Sequence, residues 1–229
     1  MQTSKQRHLQ RSEMTDRRES PRFILPYVGT IGQWAMMSAG HFVIEAHDRY
    51  ERRTQRTRTA ILGSHGPVEL SVPIRTRSGQ LYRETELNYE TDWQRQHFYA
   101  LQTAYHSSAY FDLMEEDFRR VYSEKYELLW DFNMALMRLI EYELGLRLDY
   151  TLSAQGGAVG EGEIDMRNAI TPRHTNLIDG RLRAVEYTQV FSSPYTENAF
   201  TPWLSVYDLL FNMGQEGRIV LRQMTTGLQ

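Results

Sequence analysis

The chain has 229 residues, of which 41% are hydrophobic and 12% aromatic, and its formal net charge is −3. This length and apolar content predict a globular protein with a well-buried core and exclude a largely disordered chain. The small negative charge argues against a general nucleic-acid-binding protein, and the lack of cysteine excludes disulfides, thiolate metal sites and a cysteine nucleophile.

Residues 1–21 are polar and charged, with few large apolar side chains. Such a segment buries too little surface to offset the entropy of ordering it, so a disordered tail is expected there. It also lacks the apolar core of a secretory signal, and no run in the chain approaches the ~20 apolar residues that span a bilayer. A cytoplasmic protein without a membrane span is therefore expected.

The remainder, residues 22–229, is predicted to form a single α/β domain in which a mixed β-sheet is flanked by helices. A helical segment is expected over residues 91–145, and a C-terminal helix is expected to return to the core. The glycine-rich segment that opens residues 153–183 predicts a flexible excursion.

The first elements of this domain predict a strand, a helix and a second strand. Short apolar runs at residues 23–25 and 42–46 indicate the strands, and a capped amphipathic stretch at residues 31–39 indicates the helix. Ligands of parallel sheets bind at the carboxyl ends of the strands, where Tyr27 and the region of His47 would then lie.

Reactive side chains are concentrated after the second strand, between His41 and Leu62. Five arginines follow within ten positions, and these are Arg49, Arg52, Arg53, Arg56 and Arg58. Because alternate residues of a strand share one face, Arg56 and Arg58 are predicted to point the same way from a strand that pairs with residues 68–74. Arginine binds phosphate and carboxylate through two parallel hydrogen bonds, which indicates an anion site. A solvated, basic edge strand is the alternative.

Capping signals place the starts of the later helices. Thr91 with Gln94 fits a capping box, Ser123 is predicted to cap a helix over 124–144, and Thr201 is predicted to cap the last helix. Another helix is expected over 110–121, and short strands near residues 146–152 and 185–191.

Two polar residues lie on otherwise apolar helical faces. His97 shares a face with Trp93 and Tyr105, so it is either a core histidine with a hydrogen-bond partner or a general acid–base group. Asp208 lies among apolar residues of the last helix, and an arginine of the run between Arg49 and Arg58 is its expected partner. We expect His97 and Asp208 to face one cavity.

Several ordered segments together resemble the WbqC-like family of bacterial proteins. The resemblance covers about residues 23–150 and 185–221 and rests on segments such as IEAHDRYERRTQRTRTAIL, LSVPI, DWQRQHFYALQTAYHSSAYF and FTPWLSVYDLLFNMG. This family accompanies genes of surface-polysaccharide (O-antigen) biosynthesis, and transfer of glycine onto a sugar has been suggested for it. The resemblance therefore implies a transferase with a small anionic donor.

Carried over by position, the resemblance implies nine site residues. His97 or His47 would be the catalytic base. The substrate-binding residues would be Tyr27, Tyr50, Arg56, Arg58, Trp93, Tyr105 and Asp208. The histidines show no HxH or HxxxH spacing, so no metal site is expected. Neither the residues nor the resemblance specifies a cofactor, a donor, an acceptor or an oligomeric state.

Two functions remain open at this point, with a weaker third. A transferase predicts a deep pocket in which a histidine and both Arg56 and Arg58 converge on one ligand. A non-catalytic binding or scaffold protein predicts a flat charged or aromatic surface instead. Binding of single-stranded nucleic acid by the arginines and aromatic residues is the third alternative, and it would depend strongly on salt.

Overall fold

A computed structural model of the protein describes residues 19–169, 182–191 and 200–225. The strands are β1 (Ser20–Ile24), β2 (Phe42–Glu45), β3 (Arg58–Gly63), β4 (Gly66–Ser71), β5 (Ile74–Arg75), β6 (Glu86–Leu87), β7 (Tyr150–Leu152) and β8 (Glu163–Asp165). The helices are α1 (Ile31–Ser38), α2 (Trp93–Tyr105), α3 (Phe111–Ser123), α4 (Leu129–Glu143), α5 (Val206–Met213) and α6 (Gly217–Met224). The predicted single α/β domain is confirmed.

The central sheet has four strands in the order β7-β2-β1-β8, and all of its pairs are parallel. All four residues of β2 are buried, as expected for a strand that is covered on both faces. The strands β3 with β4 and β5 with β6 form separate antiparallel pairs. The central sheet is therefore parallel throughout, and the antiparallel strands form two separate pairs outside it.

The unit β1-α1-β2 is formed as predicted. The Oγ1 of Thr30 accepts a hydrogen bond from the backbone amide of Gln33 at 3.2 Å, which caps the start of α1. The returning helix α5 is also confirmed, and its apolar residues are buried in the core. It ends at Gly214, which has a φ of 54°, and a Cβ there would come within 2.6 Å of the Tyr110 ring.

Tertiary pairing displaces two predicted helix starts. The helix expected from residue 124 begins only at Leu129. The preceding residues pair with β6 instead, because the amide of Leu87 donates to the carbonyl of Glu127 at 2.9 Å. The helix expected from Thr201 begins after Ser205, whose amide donates to the carbonyl of Ala60 in β3 at 2.9 Å. Helix α2 begins at Trp93, with Asp92 rather than Thr91 at the N-cap position.

Two other expectations differ from the structure. Residues 182–191 contain no strand, and the amide of Val190 instead donates to the Asn212 side chain at 3.2 Å. The predicted excursion over residues 153–183 contains β8, which pairs with β1 and so belongs to the central sheet. Strand β1 begins at Ser20, just inside the predicted tail, while residues 1–18 and 170–181 lie outside the described residues.

Helices long and apolar enough to cross a membrane are absent from the described ranges.

Candidate functional site

A cavity of about 490 Å³ opens at the carboxyl ends of β2 and β8. Strand β1 lies between these two strands, so the cavity occupies the edge at which parallel sheets usually bind ligands. Its lining residues are His47, Asp48, Arg49, Glu51, Leu81, Gly156, Gly157, Asp165, Arg167 and Asn168. Of the nine predicted site residues, His47 is the one that lines this cavity.

Three polar side chains on the cavity wall are available to a ligand. Within the part of the chain that the structure describes, the imidazole of His47, the guanidinium of Arg49 and the amide of Asn168 make no hydrogen bond or ion pair with the protein. Together they offer a proton acceptor, a fixed positive charge and a neutral hydrogen-bonding group. This set suits a polar ligand that carries an anionic group.

Arg167 organises the carboxylates of the cavity. Its Nη1 lies 3.0 Å from Oδ1 of Asp48, and its Nη2 lies 2.6 Å from Oδ2 of Asp165. Its Nη1 also donates to the carbonyl of Gly157 at 2.9 Å. The hydrogen bonds from Arg167 lower the pKa of Asp165, and the contacts of Arg167 hold both carboxylates in place.

Sequence reasoning missed Arg167 because it follows the three-residue strand β8 in a glycine-rich region that was read as an excursion. No local pattern marked it. Strand β8 has a single apolar residue, Ile164, between two acidic residues, which is too little to show a strand pattern.

A buried ion pair lies below the cavity floor. The Nη1 of Arg22 contacts Oε2 of Glu45 at 2.9 Å, and neither side chain is more than 5% exposed. The other carboxylate oxygen of Glu45 accepts from the backbone amide of His47 at 2.7 Å and from the hydroxyl of Ser153 at 2.9 Å. Glu45 therefore holds the backbone that carries His47.

The backbone after β7 also packs closely on His47. A Cβ added to Gly156 would lie 2.7 Å from the His47 carbonyl oxygen, so only glycine allows this approach. The segment after β7 thereby closes one side of the cavity.

Arg56 and Arg58 do not share a strand face, so that prediction is wrong. Strand β3 begins at Arg58, which is partly exposed and pairs with Glu69 across the hairpin at 3.1 Å. Arg56 lies in the preceding turn with a side chain 1% exposed, and it contacts Asp48 at 3.5 Å and Glu51 at 3.6 Å. Neither arginine lines the cavity, although Arg56 supports two of its carboxylates from behind.

His97 lies in the core, at the end of a chain of tyrosine hydroxyls. Its Nδ1 is 2.8 Å from the hydroxyl of Tyr27, which is 2.7 Å from that of Tyr122, which in turn is 3.1 Å from that of Tyr207. The backbone of Ser71 partly opposes the lowering of the His97 pKa by burial. The buried, hydrogen-bonded ring corresponds to the core-histidine alternative.

Burial gives His97 a pH-dependent contribution to stability. It lowers the pKa of His97 from 6.5 to about 4, so the folded state resists protonation of this ring. Above about pH 6.5 the ring is neutral in both the folded and the unfolded state, and His97 does not reduce the free energy of unfolding. As the pH falls from about 6.5 toward 4, the unfolded state takes up the proton first, so the free energy of unfolding decreases by up to about 1.4 kcal/mol per pH unit. Urea unfolding of the wild type and of His97→Gln between pH 7 and pH 5 should show a weaker pH dependence in the variant. Equal pH dependence of the two proteins would contradict this assignment.

The remaining predicted site residues lie in the hydrophobic core or pack against it. Trp93 is buried with its ring centroid 5.3 Å from that of His97. Tyr50 is half-buried, and its hydroxyl lies 3.5 Å from Oγ1 of Thr57. Tyr105 is fully buried and donates its hydroxyl to Oδ1 of Asp208 at 3.2 Å. None of these residues lines the cavity at the carboxyl edge.

The carboxylate of Asp208 is satisfied by neutral donors, so its predicted pairing with an arginine is wrong. Besides Tyr105, it accepts from the hydroxyl of Tyr187 at 2.5 Å and from the amide of Gln189 at 2.7 Å. Burial raises the pKa of Asp208, and these hydrogen bonds oppose the increase. Asp208 and His97 do not line the cavity, so the expected shared site is also not formed.

Groups of three or more histidine, aspartate or glutamate side chains able to hold a metal ion do not occur among residues 19–169, 182–191 and 200–225.

Comparison with known proteins gives one family and one distant relative to report. The relative, named "Uncharacterized protein Rv1507c", comes from Mycobacterium tuberculosis and is 29% identical over 203 residues, covering 79% of this chain and 87% of its own. No solved structure matches the chain. A profile of the WbqC-like protein family matches residues 21–176, which contain the central sheet except for its first residue, Ser20, and every residue that lines the cavity. Because this match spans more than half of the sequence, the protein belongs to the WbqC-like protein family.

Proposed function

We propose that the protein is a transferase that moves an activated group from a small anionic donor to a sugar, in the synthesis of surface polysaccharide. The observation that carries this proposal is the imidazole of His47, which has no hydrogen-bond or ion-pair partner among the described residues, on the wall of a cavity of about 490 Å³. Such a base, placed at the ligand-binding edge of a parallel sheet, is available to a reacting hydroxyl or amine.

The chemistry assigned to His47 is general base catalysis. A ring nitrogen of His47 accepts the proton of the acceptor hydroxyl or amine as that group attacks the activated carbon of the donor. The new bond forms to the acceptor, the bond between the donor carbon and its phosphate-bearing leaving group breaks, and the electron pair leaves with the phosphate oxygen. Protonated His47 then releases its proton to the leaving group or to water.

The surroundings of His47 support this role. Its backbone is held from below by Glu45 and from the side by Gly156, so the imidazole starts from a fixed position. The carboxylates of Asp48 and Asp165 are engaged by Arg167, whereas His47 is not. The family resemblance suggests the substrates, with glycine as the group and a sugar as the acceptor.

The test compares His47→Gln with His65→Gln, a matched change at an exposed histidine that does not line the cavity. Nucleotide sugars and aminoacyl adenylates serve as donors, each with a panel of monosaccharides, and products are followed by mass spectrometry. We expect a product with the wild type and with His65→Gln, and a loss of about 100-fold or more in the rate with His47→Gln. A product whose rate is unchanged in His47→Gln would contradict the assigned role.

The second candidate function is a non-catalytic binding protein that uses the same cavity. The observation in its favour is that Arg56 and Arg58, the expected anion clamp of an enzyme, do not line the cavity. Ligand binding by the wild type without any transfer product would favour this function over the first.

A further inference from the structure

The charged groups around the cavity are unequally paired. Each of the three lining carboxylates has an arginine within 4 Å: Asp48 and Asp165 contact Arg167, and Glu51 contacts Arg56. Arg49 lines the same cavity, and its guanidinium makes no ion pair or hydrogen bond within the described residues. It is therefore the cavity arginine whose charge and donors remain available for a ligand.

The backbone around Arg49 is fixed by pairing with a neighbouring segment. Arg49 forms an isolated antiparallel bridge with Leu81, itself a lining residue. On one side the amide of Tyr82 donates to the carbonyl of Asp48 at 2.9 Å, and on the other the amide of Tyr50 donates to the carbonyl of Gln80 at 3.0 Å. These bonds fix the backbone of Arg49 beside residues 80–82, and Arg49 lines the same cavity as His47, two residues before it.

We infer that Arg49 binds the anionic group of the ligand, a phosphate or a carboxylate, next to the base His47. The choice of a donor as that ligand rests on the proposed function, but the binding of an oxyanion rests on the cavity itself. A guanidinium is matched to such groups because its planar fork donates two parallel hydrogen bonds.

Residues 47–49 would then supply both a group that binds the ligand, Arg49, and a group that reacts with it, His47. His47, Asp48 and Arg49 all line the cavity, but the Asp48 carboxylate is already paired with Arg167 and Arg56. A ligand bound through its anionic group at Arg49 would therefore place the adjacent atoms near the imidazole. The backbone amides of Gly156 and Gly157, which have no hydrogen-bond partner in the described residues, add donors on the facing wall.

The test uses inorganic pyrophosphate as the probe and isothermal titration calorimetry on the full chain. Arg49→Gln removes the proposed ligand group, and Arg52→Gln is the matched control, since Arg52 is an exposed arginine of the same segment that does not line the cavity. We expect pyrophosphate binding to weaken about 10-fold or more in Arg49→Gln and to stay within about 2-fold in Arg52→Gln. Equal weakening in both variants would show a general charge effect and overturn the inference, as would a wild type that does not bind pyrophosphate.

The same variants distinguish this inference from the proposed function. Binding that depends on Arg49, without turnover of any donor, would leave the oxyanion site standing and reject the transferase. Turnover that depends on His47 with the same KM in Arg49→Gln and wild type would support the transferase and overturn the role of Arg49.

Discussion

Replacing Asp208 with alanine is expected to lower the free energy of unfolding by about 3 kcal/mol, because one buried and two partly buried donors would lose this acceptor, at roughly 1–3 kcal/mol for a donor left unpaired. These donors are the hydroxyls of Tyr105 and Tyr187 and the amide of Gln189, and they come from separate parts of the chain. The carboxylate thus joins residues 182–191 and helix α2 to helix α5. Chemical denaturation monitored by circular dichroism measures the change.

Asp117→Ala is the matched control for Asp208→Ala. Asp117 also lies on a helix, but its side chain is 39% exposed and pairs with Arg120 on the surface. Its replacement should cost less than about 1 kcal/mol. If the two variants lose similar stability, the buried cluster does not join these segments as described.

Replacing Glu45 with glutamine is expected to cost about 3 kcal/mol, because it removes the fully buried one of the two counter-charges that contact the buried guanidinium of Arg22. Glutamine has nearly the same shape as glutamate, so the loss of stability measures the effect of removing the charge and not that of an empty cavity. Arg22 retains Glu163 at 2.7 Å, which limits the penalty. The free energy of unfolding from urea titration gives the comparison.

The surface pair of Arg58 and Glu69 provides the control for Glu45→Gln. Both side chains are at least 37% exposed, so Glu69→Gln should change stability by less than about 1 kcal/mol. Because Glu45 also accepts from the backbone amide of His47, Glu45→Gln should in addition weaken ligand binding at the cavity. Glu45→Gln with wild-type stability would show that the ion pair below the cavity contributes little.

The elements that could be predicted from local sequence are those whose stabilising contacts join residues close together in the chain. Helix α1 was predicted with its cap because Thr30 and the apolar face of the helix are adjacent in the chain. The hairpin of β3 and β4 followed from alternation on both sides of a glycine turn. The location of a site near His47 followed from the rule that parallel strands bind ligands at their carboxyl ends.

The sequence by itself determined the α/β class, the family resemblance, the first βαβ unit and His47 as a candidate, since these depend on periodicity and on neighbouring residues. Tertiary structure alone decided the partners of charged groups, because ion pairs such as Arg167 with Asp48 join residues far apart in the chain. It also decided which of Arg49, Arg56 and Arg58 lines the cavity, and that residue is Arg49. The physical reason is that the burial and pairing of charged groups depend on which strands lie next to each other in the fold. Strand β8, which brings Arg167 to the site, has only three residues and is too short to show a strand pattern in the sequence.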